Sequence, residues 1–355
     1  MKKYLLIYHR EDNDGLFSGA IFYNYLIHKL NVDKNDIELF GSDYNELEIW
    51  SKNHQDIESL KEQYDTIIMT DISFNDPIYM NFLYNKFKKK FIWCDHHKPI
   101  IDASKKYMFG TCEGVRNTQK SAILCAYEYL YDSFNEVYST IENHPNPKFP
   151  ELFRVLSGWD SWSYEREGYD FEYVRNVNKG VTFTFGLDFE KIKSKVFETL
   201  YTYHNYKDDG NFNWNLSQEL EFINKMYNIG KMLNEYDDKM MADIIKNSGD
   251  CSWNVVTQDE NGKLLARTAC AIFHQGATNS TMFKSLIGKG IEQGLVFKHQ
   301  SNGNWVLSMY NIYNDAEFHC GEFLKERYNG GGHKGAAGCT LTQEQFINIL
   351  KNKTI

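Results

Sequence analysis

The chain has 355 residues, of which 42% are hydrophobic and 25% charged, a composition typical of an ordinary globular protein of about two domains. Its net charge is -9, and the negative charge lies in the first 250 residues. Long nucleic acids bind such an acidic chain poorly, because that affinity comes largely from Lys and Arg contacts to phosphates. We therefore expect no long-duplex nucleic acid as a partner. A small anionic substrate beside metal ions remains compatible with the charge.

The sequence shows no sign of export or membrane insertion. The apolar run at residues 4–8 is much shorter than a signal-peptide core and leads into a charged loop. No stretch approaches the roughly 18–20 apolar residues of a membrane span. The seven cysteines form no CxxC pair, which argues against a structural zinc finger or a disulfide framework. We therefore expect a cytoplasmic protein with no membrane partner.

The first half of the chain alternates short apolar runs with helical patterns. Continuous apolar runs at residues 4–8, 66–70 and 91–94 predict buried strands. Helical spacing predicts helices at residues 16–30 and 121–131. Apolar strands separated by helices are typical of a doubly wound, mostly parallel sheet in an α/β fold.

The remainder of the chain divides into a helical stretch and a second α/β region. Helical patterns cover residues 189–206 and 216–245, with a turn signal at 208–211. Strand signals then follow at 254–257, 269–273, 294–299 and 305–310, with a helix at 318–328. We predict a catalytic domain at 1–188, a helical connector at 189–250 and a smaller α/β domain at 251–355.

Polar side chains follow each of the three early strands. In chain order they are His9, Asp12 and Asp14 after the first, Asp71 after the second, and Asp95, His96 and His97 after the third. In open parallel sheets, ligands bind beyond the carboxyl ends of the strands, so these side chains are expected to meet at one edge. Carboxylates and imidazoles that converge in this way are typical ligands of a divalent metal ion.

Part of this pattern has a purely structural alternative. Asp14 would then cap the helix after the first strand, with Gly15 relaxing the backbone. An EF-hand calcium loop is excluded, because the register that puts Gly15 at its sixth position puts Arg10 first and Ile21 twelfth. Two adjacent imidazoles behind an acid, as in 95–97, are harder to explain by structure alone.

Five motifs, in a fixed order, resemble those of the DHH superfamily of phosphoesterases. They are His9…Asp12-x-Asp14-Gly15, Asp71, Asp95-His96-His97, Gly158-Trp159-Asp160-Ser161-Trp162 and Gly330-Gly331-Gly332-His333-Lys334-Gly335-Ala336-Ala337-Gly338. The last motif resembles the signature of the DHHA1 accessory domain, so the resemblance spans nearly the whole chain. The contexts of the third and fourth motifs are most similar to the branch of nanoRNA-degrading oligoribonucleases.

This resemblance implies two divalent metal ions, most often Mn²⁺, with Mg²⁺ and Co²⁺ as alternatives. The residues implied for the first ion are His9, Asp12 and Asp71. Those implied for the second ion are Asp14, Asp71, His96 and Asp160, with Asp71 bridging the pair. Two catalytic roles are also implied. Asp95 would orient an imidazole by accepting its N–H, and His97 would donate to the charge that develops on the scissile phosphate.

The glycine-rich segment near the C-terminus provides the implied substrate contacts. These substrate-binding residues are Gly331, Gly332, His333 and Lys334. Exposed N–H groups in such a run can form an anion nest, whereas a helix C-cap at Gly330 is the structural alternative. Relatives often carry an arginine after the strand that precedes the final helix, and this chain has none near Tyr310. Arg116, Arg267 and Lys334 are the candidates to replace it.

Together, these features predict a metal-dependent phosphodiesterase. It would hydrolyse short oligonucleotides (nanoRNA, dinucleotides or 3′-phosphoadenosine 5′-phosphate) to mononucleotides with water activated by two metal ions. Two alternatives stay open: a RecJ-like single-stranded DNA exonuclease, and a non-catalytic protein that sequesters a nucleotide. The acidic charge argues against the first, and the intact metal positions argue against the second. The sequence also leaves a homodimer open.

Overall fold

The computed structural model describes residues 3–54, 57–107, 109–131, 149–209, 212–258, 261–276, 280–313, 318–332 and 334–355. The chain divides into two compact units, Met1–Leu233 and Asn234–Ile355. The domain limits at residues 188 and 250 stay a prediction. None of the described helices combines the length and the apolar character needed to cross a membrane.

A parallel four-stranded sheet lies at the centre of the first unit. Its strands are β1 (Tyr4–His9), β2 (Ile37–Ser42), β3 (Thr66–Thr70) and β4 (Phe91–Cys94). They pair in the order β2-β1-β3-β4, and every pair is parallel. All four carboxyl ends consequently lie at the same edge of the sheet.

Helices cover both faces of this sheet. They are α1 (Asn13–His28), α2 (Tyr44–Asn53), α3 (Ile57–Gln63), α4 (Pro77–Phe87), α5 (Lys98–Lys106), α6 (Ala122–Tyr131), α7 (Glu151–Asp160), α8 (Phe171–Phe185), α9 (Phe189–Asp209) and the first part of α10 (Phe212–Ser248), whose residues from Asn234 onward belong to the second unit. Leu6 and Tyr8 of β1 enter a core shared with α1 and α6 to α10, whereas Leu5 and Ile7 enter a second core with α2 to α5. Because both faces are covered, the strands have continuous apolar sequences. The predicted doubly wound, parallel α/β sheet is confirmed.

The second unit contains a six-stranded mixed sheet. Its elements are β5 (Asp250–Gln258), β6 (Leu264–Phe273), β7 (Gln293–His299), β8 (Trp305–Asn311), α11 (Cys320–Tyr328), β9 (Gly331–Gly332), β10 (Ala336–Leu341) and α12 (Gln343–Asn352). The strand order is β5-β6-β7-β8-β10-β9, in which β6 and β7 are parallel and the other pairs antiparallel. The predicted second α/β region is therefore confirmed.

Strand β2 is the main element of the first sheet that the sequence pattern did not reveal. It lies at the edge of the sheet beside β1, and four of its six residues are only half-buried. Its sequence, IELFGS, therefore lacks the continuous apolar run that identified the other three strands.

Candidate metal centre

The predicted ligands in the first unit meet at the carboxyl edge of the parallel sheet. His9 is the last residue of β1, and Asp71 directly follows β3. His96 follows β4 after one intervening residue. Asp160 is the last residue of α7, so it reaches this edge from a helix. The fold thus brings together side chains from four separate parts of the sequence.

One group of ligand atoms is formed by His9, Asp12 and Asp71. His9 Nδ1 lies 3.0 Å from Asp12 Oδ2 and 3.6 Å from Asp71 Oδ2. One ligand atom from each residue lies within 4.8 Å of the other two. A single cation can therefore contact all three side chains.

A second group is centred on His96. Its Nε2 atom lies 3.6 Å from Asp14 Oδ2, 3.3 Å from Asp71 Oδ1 and 3.2 Å from Asp160 Oδ2. The ligand atoms of Asp14, His96 and Asp160 lie within 4.8 Å of one another, as do those of Asp71, His96 and His97. Asp71 thus presents one carboxylate oxygen to each group, which is the placement that a bridging ligand requires.

Asp14 is held in place by the N-terminus of α6. The Ala122 N–H donates to Oδ2 at 2.7 Å, and the Ile123 N–H donates to Oδ1 at 2.9 Å. These N–H groups belong to the first turn of a helix, where they lack intrahelical partners and where the helix dipole favours a negative charge. The orientation of the Asp14 carboxylate is therefore determined by a helix more than 100 residues further along the chain.

The turn from β1 into α1 requires glycine at position 15. A Cβ atom at Gly15 would lie 2.1 Å from the carbonyl oxygen of His9, so any side chain there would force the turn apart. The helix is capped by Asp12, which accepts the Gly15 N–H at 2.9 Å. The alternative in which Asp14 caps this helix is therefore wrong, because Asp14 lies inside the first turn.

Asp95 is fully buried and fixes the ring of His97. Its Oδ1 atom lies 2.7 Å from His97 Nδ1 and accepts the backbone N–H groups of His96 and His97 at 2.7 and 3.1 Å. Its Oδ2 atom accepts the Trp93 indole N–H at 3.0 Å. Because Nδ1 is engaged, His97 presents Nε2 to its surroundings, where Tyr44 Oη lies 3.5 Å away.

Burial and crowded like charges perturb the pKa values at this site. Burial, followed by the negative charge of Asp14, raises the pKa values of Asp71 and Asp160 well above their usual range. Burial lowers the pKa of His9, but contacts with Asp12 and Asp71 outweigh it and raise that pKa to about 10. So many neighbouring carboxylates ionise together only when a compensating cation is present.

The residues at this edge fit divalent cations. Within the described part of the chain, three of their buried atoms make no hydrogen bond: His9 Nδ1, Asp71 Oδ1 and Asp160 Oδ2. Buried polar atoms are nearly always paired, so three orphans in one cluster indicate the position of an ion or water. Mixed carboxylate oxygen and imidazole nitrogen ligands suit divalent metals such as Mn²⁺.

The glycine-rich segment belongs to the second unit. Gly331 and Gly332 form β9 and are exposed, and His333 lies outside the described residues. The carbonyl oxygen of Lys334 accepts hydrogen bonds from the Cys320 N–H and from Asn311 Nδ2, each at 3.0 Å. Asn311, the last residue of β8, thus anchors this segment beside Tyr310.

Arg116 and Arg267, both candidates to replace the absent arginine, make structural contacts in the fold. Arg116 donates to four backbone carbonyl groups, those of Trp93, Gly110, Cys112 and Glu113. Arg267 Nη1 lies 3.3 Å from Glu292 Oε1, and its guanidinium lies over the Phe318 ring at 5.0 Å. Arg116 therefore has a structural role: it links residues 110–113 to strand β4.

Sequence reasoning missed two parts of this site, Tyr44 and the N-terminus of α6. Tyr44 begins α2, one residue after the end of β2, the strand that the pattern did not reveal. Asp43, which caps α2 by accepting the N–H groups of Asn45 and Glu46, was a usable signal for that helix start. No local signal connects Asp14 to α6, because that contact exists only in the folded chain.

Comparisons with known proteins give remote structural likenesses. No family model and no curated protein matches the sequence. A pGpG-specific phosphodiesterase from Vibrio cholerae is 12% identical, with 99% of this chain and 97% of that chain covered and a TM-score of 0.46. An exopolyphosphatase-related protein from Bacteroides fragilis is 13% identical, with 99% and 91% covered and a TM-score of 0.46. An uncharacterized protein from Helicobacter pylori is 15% identical, with 98% and 100% covered and a TM-score of 0.38. At such values the likeness assigns no activity to this chain.

Proposed function

We propose that this chain is a metal-dependent phosphodiesterase of the DHH type, which hydrolyses short oligonucleotides and dinucleotides to mononucleotides. The observation that carries the proposal is the pair of ligand groups that share Asp71 at the carboxyl edge of the sheet. The geometry indicates metal binding, and the resemblance of the sequence motifs to those of DHH phosphoesterases suggests that the substrate is a phosphoester. The acidic charge favours short substrates over long ones.

We infer two divalent cations, with Mn²⁺ as the expected metal and Mg²⁺ or Co²⁺ as alternatives. The first would be held by His9, Asp12 and Asp71, and the second by Asp14, Asp71, His96 and Asp160. When bound, such a pair lowers the pKa of a water molecule and neutralises charge on the phosphoryl oxygens. The α6 N-terminus orients the Asp14 carboxylate for this task through the N–H groups of Ala122 and Ile123.

His97 is our proposed donor to the scissile phosphate. Asp95 holds its Nδ1, so Nε2 is the atom available to a substrate oxygen. Because Asp95 is itself held by Trp93 and by two backbone N–H groups, the ring orientation is set before a substrate arrives. The glycine-rich segment at 331–334 remains the predicted contact for a substrate phosphate.

A hydrolysis assay over substrate length tests the proposal. The substrates are 5′-labelled RNA and DNA oligomers from dinucleotides to about 24 nucleotides, with 3′-phosphoadenosine 5′-phosphate, cyclic dinucleotides and pyrophosphate alongside. We expect Mn²⁺-dependent rates that peak at the shortest oligomers and vanish with EDTA. Asp71→Asn removes the shared charge, and Asp65→Asn, an exposed aspartate paired with Lys90, is the matched control that keeps full activity.

The outcomes separate the proposal from its alternatives. Rates that hold or rise with length would replace it with a single-stranded exonuclease. Tight binding of one nucleotide without turnover of any substrate would replace it with the sequestering protein. Turnover retained in Asp71→Asn would overturn the assignment of both metal sites.

A further inference from the structure

A half-exposed tryptophan lies two residues after the candidate metal ligand Asp160. Trp162 is 53% exposed and follows Asp160 by two residues, so its Cα lies within about 7 Å of the Cα of that ligand. Its ring is nearly parallel to those of Phe171, at 5.7 Å and 22°, and Trp159, at 6.3 Å and 25°. Phe171 and Trp159 lie 5.8 Å apart, so the three rings form one packed group.

The backbone at Trp162 is held in a strained conformation. Its φ is 54°, in the left-handed region that bulky side chains rarely adopt. The Ser161 hydroxyl donates to the Ser157 carbonyl oxygen at 2.7 Å and lies 2.8 Å from Ser163 Oγ, which fixes the turn. Such strain persists where the surroundings impose it, and it is concentrated at functional sites. Here it holds a half-exposed indole two residues after Asp160, one of the candidate metal ligands.

We propose that Trp162 is a stacking platform for a nucleobase of the substrate. The inference rests on the proposed function and deepens it, because it assigns the specificity to nucleotide-containing phosphodiesters. Every base has a flat π face, so stacking on an indole is strong and tolerant of base identity. Inorganic pyrophosphate and polyphosphate have no such face and gain nothing from the platform. The rings of Phe171 and Trp159 support the indole, so little freedom is lost when a base binds.

Substitution of Trp162 and removal of the base from the substrate test this proposal together. The variants are Trp162→Ala and Trp162→Phe, with Tyr201→Ala on α9 as the control for loss of another exposed aromatic residue, 61% exposed. The substrates are a dinucleotide and its abasic analogue, compared as the ratio of their kcat/KM values. For Trp162→Ala we expect this ratio to fall about 5- to 150-fold, the range for one lost base stack. Trp162→Phe keeps a π face and is expected to retain most of the ratio.

A binding measurement keeps the test independent of turnover. Calorimetry on the Mn²⁺-loaded protein compares adenosine 5′-monophosphate with ribose 5-phosphate, which lacks the base. We expect Trp162→Ala to weaken binding of adenosine 5′-monophosphate by the same factor of about 5 to 150. The ratio of the Kd for ribose 5-phosphate to the Kd for adenosine 5′-monophosphate should therefore fall to about one. If no substrate were turned over, the proposed function would be refuted. A wild-type preference for the nucleotide over ribose 5-phosphate that Trp162→Ala lacks would still support the platform.

The platform is refuted by two results. One is an equal loss for the dinucleotide and its abasic analogue, which would make Trp162 a structural residue. The other is a preference for the nucleotide over ribose 5-phosphate that is the same in Trp162→Ala and in the wild type. Thermal unfolding of each variant shows whether an equal loss comes from an altered fold.

Discussion

Replacement of Asp95 by asparagine is the substitution for which the structure predicts the clearest combined effect on stability and activity. Asp95 is fully buried and has no donor of its own, while four N–H groups point at its two oxygens. Asparagine has the same shape but carries an NH₂ group. It must turn this group either toward the indole N–H of Trp93 or toward the donors of His96 and His97.

Either orientation leaves a buried N–H group without an acceptor, which costs about 1–3 kcal/mol. Loss of the charge-assisted hydrogen bond to His97 adds about 1.5–3 kcal/mol. We therefore expect Asp95→Asn to lower the free energy of unfolding by about 2.5–6 kcal/mol. Activity should fall by about 10- to 100-fold, the usual cost when a residue that orients a metal-site histidine is lost.

Urea denaturation in EDTA, followed by circular dichroism, measures the stability without a contribution from bound metal. The matched control is Asp76→Asn, because exposed Asp76 caps α4 through the Ile78 N–H and asparagine caps equally well. A change below about 0.5 kcal/mol is expected for the control. If Asp95→Asn changes both stability and turnover as little as the control does, Asp95 does not hold His97 in the manner described.

Three further predictions concern the stability of the protein: the role of Asp14, the effect of bound Mn²⁺, and the pH dependence that Glu219 contributes. Asp14→Ala removes the acceptor for the N–H groups of Ala122 and Ile123. Each buried N–H group left without an acceptor costs about 1–3 kcal/mol, so urea denaturation in EDTA should show a loss of about 2–6 kcal/mol. An unchanged midpoint would show that the contact between Asp14 and α6 does not stabilise the fold. Mn²⁺ at about 100 times the Kd of each site should raise the free energy of unfolding by about 2.7 kcal/mol for each ion bound. A stabilisation that EDTA does not reverse would contradict this prediction. Burial raises the pKa of Glu219, so wild-type stability should fall as pH rises from the ordinary glutamate pKa through the raised one. The Leu152 N–H donates to Glu219 Oε1 at 3.0 Å, and the glutamine of Glu219→Gln can still accept it. Because this variant cannot titrate, its free energy of unfolding should lack the part of the decline with pH that Glu219 causes. Parallel pH profiles in the two proteins would contradict this.

The strands that carry the site were predictable because of where they lie in the sheet. β1, β3 and β4 are buried on both faces, and this produces the continuous apolar runs visible in the sequence. The polar residues at their ends then follow from the geometry of a parallel sheet. β2 was missed because an edge strand with half-buried residues such as Glu38 and Phe40 has no such run. Tyr44, which follows β2, was missed for the same reason.

Contacts between distant segments explain what the sequence could not reveal about the site. The Asp14 carboxylate meets N–H groups that are near it only because α6 packs against α1. The partner of Asp95 is His97, a choice that depends on side-chain torsions rather than on spacing. The left-handed backbone at Trp162 likewise arises from the turn after α7. The sequence could not predict it, because the position holds neither glycine nor asparagine, the residues that favour this conformation.

The central claim, that these side chains hold two divalent cations with Asp71 between them, is tested most directly by the number of Mn²⁺ ions bound per chain. Equilibrium dialysis with metal analysis gives this number for the wild type and for Asp71→Asn, with Asp65→Asn as the control. Our account predicts two ions per chain for the wild type and the control, and at most one for Asp71→Asn. A wild-type chain that binds no Mn²⁺, or an Asp71→Asn chain that still binds two ions with wild-type affinity, would contradict it.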